Sequence, residues 1–85
     1  MASKSKTLEA VLSGRSDANV RFSAIRSLVI SMGFSERIKG DHFIYSRGDI
    51  AEIINIQPAS GGKAKPYQVK QIRGIITKYG LGAGE

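Results

Sequence analysis

Two Gly-Asp dipeptides, Gly40-Asp41 and Gly48-Asp49, cut the alternating stretch between Phe34 and Gln57 into three short segments. Each reads as a two-residue hairpin turn, because glycine reaches the positive φ that the first central position of such a turn demands. Turns this short join antiparallel neighbours only. The centre of the chain is therefore a three-stranded antiparallel sheet. In its first strand Phe34, Glu36 and Ile38 share one side, and Ser35, Arg37 and Lys39 the other. In its second, Phe43 and Tyr45 oppose His42 and Ile44. The third, Ile50 to Gln57, has isoleucine at 50, 53, 54 and 56 and reads as a central or well-covered strand, ended by Pro58.

Helical periodicity flanks this centre. Leu8, Val11 and Leu12 define a short amphipathic helix over residues 5–13, with Ser5 as its cap and Gly14 after it. Phe22, Ile25, Leu28, Val29 and Met32 define a second, with Ser23 as cap and Gly33 as stop. PASGGKAK, residues 58–65, reads as a flexible basic linker. Pro66 then opens a third helix, whose apolar face is Val69, Ile72, Ile75, Ile76 and Tyr79. Lys70, Gly74 and Lys78 lie opposite, with Arg73 on the flank. Gly80 closes it, and LGAGE reads as a loose tail. The order is a short helix followed by α-β-β-β-α, an α+β fold in which helices cover one sheet face and the other is left to solvent or a ligand.

With 85 residues there is room for one modest core. The absence of cysteine excludes a disulfide framework or thiolate metal site. MASKSKTLEAVLSG contains no apolar stretch suited to a signal core, and no later run suits a membrane span, so a cytoplasmic location is expected. Thirteen Lys and Arg against 7 Asp and Glu give a net charge of +6, which favours an anionic partner. The excess concentrates between Pro58 and Tyr79, where Lys63, Lys65, Lys70, Arg73 and Lys78 occur without an acidic residue. Nucleic acid and an acidic protein both satisfy that charge, as does a solvated basic face with no specific partner.

Arg47-Gly48-Asp49 spells an adhesion tripeptide, but it falls on a hairpin turn in a chain without signs of secretion. Gly61-Gly62-Lys63 lacks the spacing and the following Ser or Thr of a P-loop. One histidine and scattered carboxylates at 36, 41, 49 and 52 make a poor ligand set, and neither metal nor cofactor is expected. Gly74, inside a helix, is either a point of close approach for RNA phosphate or a partner backbone, or a tolerated exposed glycine. His42 is the chain's single histidine, following a turn, pointing away from Phe43 and Tyr45, and near Arg37 and Lys39. It reads either as a general acid or base or as an exposed residue that steadies the turn.

The runs RFSAIRSLVISMGF (21–34), RIKGDHFIY (37–45) and EIINIQPASGGKAKPYQVKQIRGII (52–76) resemble HicA-type toxins, small mRNA interferases paired with a HicB-type antitoxin. The resemblance covers residues 21–80, leaving 1–20 as an added helix and linker and 81–85 as a tail. It implies a fold similar to double-stranded-RNA-binding domains. The family signature places a glycine, usually a serine, and a catalytic histidine at the start of the second strand, often followed by another histidine. Gly40 and His42 match it; Asp41 replaces the serine and Phe43 the second histidine.

What the resemblance implies is an endoribonuclease that needs no metal, in which His42 is the general acid or base and Gly40-Asp41 the active-site turn. Arg37, Lys39, Lys63, Lys65 and Lys70 would bind RNA. Tyr45, Asp41, a lysine or water would supply the second proton transfer, and a HicB-type antitoxin would cover the His42 surface. The alternatives are a non-catalytic RNA-binding module of the same fold and a protein-interaction domain whose basic face meets an acidic partner.

Overall fold

The structure, a computed structural model, describes residues 4–82. Its order is α1 (Lys4–Ser13), α2 (Phe22–Ser31), β1 (Ser35–Lys39), β2 (His42–Arg47), β3 (Ile50–Ile56) and α3 (Pro66–Tyr79), with single 3-10 turns at Asp17–Asn19 and Ser60–Gly62. The three strands form one antiparallel sheet in the order β1-β2-β3.

The expected helices form, but two of the expected caps do not. α1 begins at Lys4, so Ser5 lies inside its first turn. α2 starts at Phe22 with Arg21 in the cap position and no side-chain cap, so Ser23 is already helical. α3 has Pro66 at its start, where the missing N–H leaves no bond unmade, and Gly80 ends it in the left-handed region at φ 64°.

One core joins the three helices to β2 and β3. Val11, Ile25, Val29, Tyr45, Ile54, Ile56, Val69 and Ile72 are fully buried, and α1 contributes Val11 to the same cluster as α2, the sheet and α3. Leu12, expected inside, is exposed, because α1 meets its neighbours along a face that ends at Val11 and Leu8. Leu81, expected in a loose tail, packs on the core, and its N–H donates to the Ile76 carbonyl. The rest of that tail, residues 83–85, lies outside the described residues.

Of the two expectations for β3, a central or a well-covered strand, the second holds, on one face. β2, not β3, is central. β3 is an edge strand whose Ile50, Ile54 and Ile56 are buried while Ile53 is exposed on the other face. A bulge between Tyr45 and Arg47 shifts the pairing, so Arg47 faces Ile50 but Tyr45 faces Ile54. The second Gly-Asp turn is also unlike the first. Gly40 has φ 60° and Asp41 a negative φ, the geometry expected for a hairpin; neither Gly48 nor Asp49 has a positive φ. A turn with both central residues at negative φ twists against the strands it joins, and the bulge lies immediately beside it. Arg47 and Asp49 pair with each other at 2.9 Å, and Arg47 also donates to the Met32 carbonyl at the end of α2.

Residues 58–65 are not a free linker. Pro58 pairs with Ala64 and Arg21 with Lys63 across isolated bridges, the Ala59 N–H donates to the Lys63 carbonyl, and the Ala64 N–H donates to the Val20 carbonyl. Ala64 is buried by these contacts. Glycine-rich composition here provides the positive φ of Gly61 and Gly62 that folds the segment back on itself.

Candidate functional site

Strand alternation places the covered face at Glu36, Phe43, Tyr45, Ile54 and Ile56 and the open face at Arg37, Lys39, His42, Ile44 and Asn55. Ile38 points to the covered face, but lies near the hairpin end, where it remains 53% exposed. His42 starts β2 directly opposite Lys39, and Arg37 faces Ile44 two pairs further along, on the same face. Thus the hairpin brings together three of the residues singled out from the sequence, His42, Lys39 and Arg37.

The imidazole is held on both nitrogens. Nδ1 lies 3.2 Å from Asn55 Oδ1, an acceptor, so Nδ1 carries the proton. Nε2 then presents its lone pair, and the Gln57 amide nitrogen donates to it at 3.3 Å. The same Gln57 nitrogen donates to Asp41 Oδ2 at 3.2 Å, while Asp41 Oδ1 stands 3.9 Å from His42 Nε2. Gln57 Oε1 accepts from Lys65 Nζ at 3.5 Å. About half of the imidazole side chain stays exposed, so the cluster is an open, hydrogen-bonded surface site made from the β1–β2 turn, the end of β3 and the start of α3.

Gln57 is itself fixed from below. Its backbone N–H donates to the Oε1 of Gln68, a side chain of α3 that is buried and otherwise bonded to the Tyr67 hydroxyl. Sequence reasoning missed Asn55, Gln57 and Gln68. The available signal was weak: a polar residue at 55 and another at 57 alternate with Ile54 and Ile56, and Gln68 sits next to the apolar face of its helix.

The other expected site residues divide. Lys65 joins the His42 cluster through Gln57. Lys63 turns away from it, donating to Asn19 Oδ1 at 3.1 Å. Lys70 is exposed on α3, and among the described residues no hydrogen bond links it to the cluster. Tyr45, one of the possible second proton-transfer groups, is on the opposite face. It is fully buried, and its hydroxyl donates to Glu36 Oε2 at 2.6 Å. Arg26 donates to both Glu36 oxygens at 3.0 Å and lies over the Phe43 ring, 4.6 Å from its centroid. Burial, reinforced by the Glu36 carboxylate, pushes the Tyr45 hydroxyl up, and Arg26, then Tyr45, hold Glu36 below the usual carboxylate range. Tyr45 therefore joins helix to sheet and has no access to His42.

Two cations of the basic 58–79 segment are also neutralised. Arg73 makes a two-pronged pair with Asp17 at 2.9 and 3.1 Å and donates to the Val11 carbonyl. Lys78 pairs with Glu52 at 2.8 Å, and the Tyr79 hydroxyl donates to the same carboxylate. Gly74 is exposed, and a Cβ there would meet open space.

Among the described residues no group of three or more His, Cys, Asp or Glu side chains is arranged to hold a metal ion, and no helix is long and apolar enough to cross a membrane. No family model, curated protein or solved structure matches the chain.

Proposed function

We propose that the chain is a cytoplasmic endoribonuclease, the toxin member of a toxin–antitoxin pair, with a double-stranded-RNA-binding-type fold and His42 as its proton-transfer group. The observation that carries this reading is the ordered imidazole. Asn55 fixes the Nδ1–H tautomer, leaving Nε2 as the basic nitrogen on an exposed face beside Lys39 and Arg37.

In this reading RNA displaces the Gln57 amide from Nε2. Nε2 takes the proton of a ribose 2′-OH, the 2′-oxygen forms a bond to the adjacent phosphorus, and the bond from phosphorus to the 5′-oxygen breaks. Lys39, Arg37 and Lys65 offset the charge that grows on the phosphoryl oxygens. The departing 5′-oxygen takes its proton from water, a lysine or Asp41, because Tyr45 is enclosed beneath the sheet. A HicB-type antitoxin would silence the site by covering the open face.

One observation favours the second reading, a non-catalytic RNA-binding module: in the free protein Nε2 already accepts a bond from Gln57. Induced expression of wild type and His42→Ala separates the two. The toxin reading expects growth arrest and transcript loss with wild type and normal growth with the variant. Equal growth with both contradicts it.

A further inference from the structure

We infer that the groove between α1 and the start of α2 is a second phosphodiester-binding site, which anchors an RNA strand beyond the His42 cluster. This rests on the reading of the chain as an RNA-binding protein; it adds Arg21 and sets Lys63, one of the expected RNA-binding residues, at a site separate from the His42 cluster. Arg21 and Lys63, far apart in sequence, are set opposite one another by an antiparallel bridge, and the neighbouring Ala64 N–H to Val20 carbonyl bond of 2.8 Å locks that register. Like charges directly opposed across such a pair repel. The carboxylate of Asp17 in the adjacent 3-10 turn is occupied by Arg73, and Lys63 Nζ donates to a neutral amide oxygen, that of Asn19. Both cations stay exposed. The backbone thus holds two positive side chains together where an anion offsets their repulsion.

The space beside them suits a nucleotide strand. A shallow groove of about 260 Å³ is lined by Lys6, Ala10, Ser16, Asn19, Arg21 and Ala24, giving small apolar walls with a basic, hydroxyl- and amide-bearing rim. The first turn of α2 carries no acidic residue and no side-chain cap. Lys63 and Lys65, two residues apart on one short segment, reach Asn19 at the rim of this groove and Gln57 of the His42 cluster respectively. A single strand of RNA following that segment meets both sites.

The test is fluorescence anisotropy of a fluorescein-labelled single-stranded RNA across a salt series, with His42→Ala protein as the parent so that the probe stays intact. Adding Arg21→Ala and Lys63→Ala together should reduce the slope of log affinity against log salt by about 1.4, at roughly 0.7 per lost phosphate contact. Arg21→Lys with Lys63→Arg should keep the parental slope, and circular dichroism should show unchanged folding in each variant. Parental RNA binding with an unchanged slope in the double alanine variant overturns the groove assignment alone. No RNA binding by wild type or the parent overturns both this inference and the RNA reading. Amide shifts at Arg21 and Lys63 caused by inorganic phosphate, with RNA binding unaltered by the double alanine change, assign the groove to a free anion and also overturn the inference.

Discussion

The Tyr45 hydroxyl donates to Glu36 Oε2 at 2.6 Å on the face of the sheet opposite His42. The bond ties β2 to β1, and Arg26 extends it to α2. It makes Tyr45 structural. Tyr45→Phe should lower stability by roughly 1.5–3 kcal/mol, the range for a hydrogen bond to a charged group, measured by urea unfolding. RNA cleavage under folding conditions should persist. Loss of cleavage in a folded Tyr45→Phe protein would contradict this placement.

Stability should fall at both ends of the pH scale. Lys78, then Tyr79, hold the Glu52 carboxyl at about 2, and Arg26, then Tyr45, hold Glu36 low. Their depressed values stabilise the folded state fully above the ordinary carboxylate range, and that contribution fades as pH falls below about 4.5. Tyr45 has the opposite sign: its raised value contributes fully below about 10 and fades as pH climbs beyond it. Urea midpoints against pH should therefore decline on both sides of neutrality, and Glu52→Gln should flatten the acid limb.

Gly40 and Gly74 should respond to alanine in opposite directions. At Gly40 the added Cβ meets nothing within 4 Å, but φ is 60°, so Gly40→Ala should cost about 1–2 kcal/mol through backbone strain alone. At Gly74, in the interior of α3 with open space around it, alanine should add about 1 kcal/mol of stability. If Gly74 is instead a point of close approach for RNA, Gly74→Ala will weaken RNA binding; unchanged binding marks it as a tolerated glycine.

Asn55 should matter through His42. Removing one hydrogen bond of about 1 kcal/mol from the imidazole should slow cleavage by about fivefold in Asn55→Ala, since each 1.36 kcal/mol is a factor of ten. A loss much smaller than that of His42→Ala, with RNA affinity unchanged, identifies Asn55 as a positioning residue. Single-turnover rates and anisotropy separate the two effects.

Much of this architecture is legible in the sequence because burial follows period: Phe22, Ile25, Leu28 and Val29 repeat as a helix, and Phe43 and Tyr45 alternate as a strand. Strand order is not written in that pattern. Four isoleucines read as a central or a well-covered β3; hairpin connectivity makes β2 central, and β3 is covered on one face with Ile53 outside. The site was legible at His42, Lys39 and Arg37, which one local hairpin assembles. Asn55 and Gln57 depend on a register that the bulge beside the Gly48-Asp49 turn shifts, which side-chain alternation alone does not reveal. Without that shift, continuing the Arg47 to Ile50 pairing would put Asn55 opposite His42; with it, Asn55 faces Ile44 and Gln57 comes alongside the imidazole. Lys63 and Lys65 look equivalent in sequence but part company because the 58–65 segment is bridged to Arg21.

Proton transfer by the His42 imidazole in RNA cleavage is tested by single-turnover cleavage by purified protein of an RNA and of its all-deoxy counterpart. With His42 as the proton-transfer group, wild type cleaves RNA, His42→Ala is slower by about 10²–10⁴, and neither protein cleaves the deoxy strand. Cleavage of RNA at the wild-type rate by folded His42→Ala, or cleavage of the deoxy strand, would contradict that role.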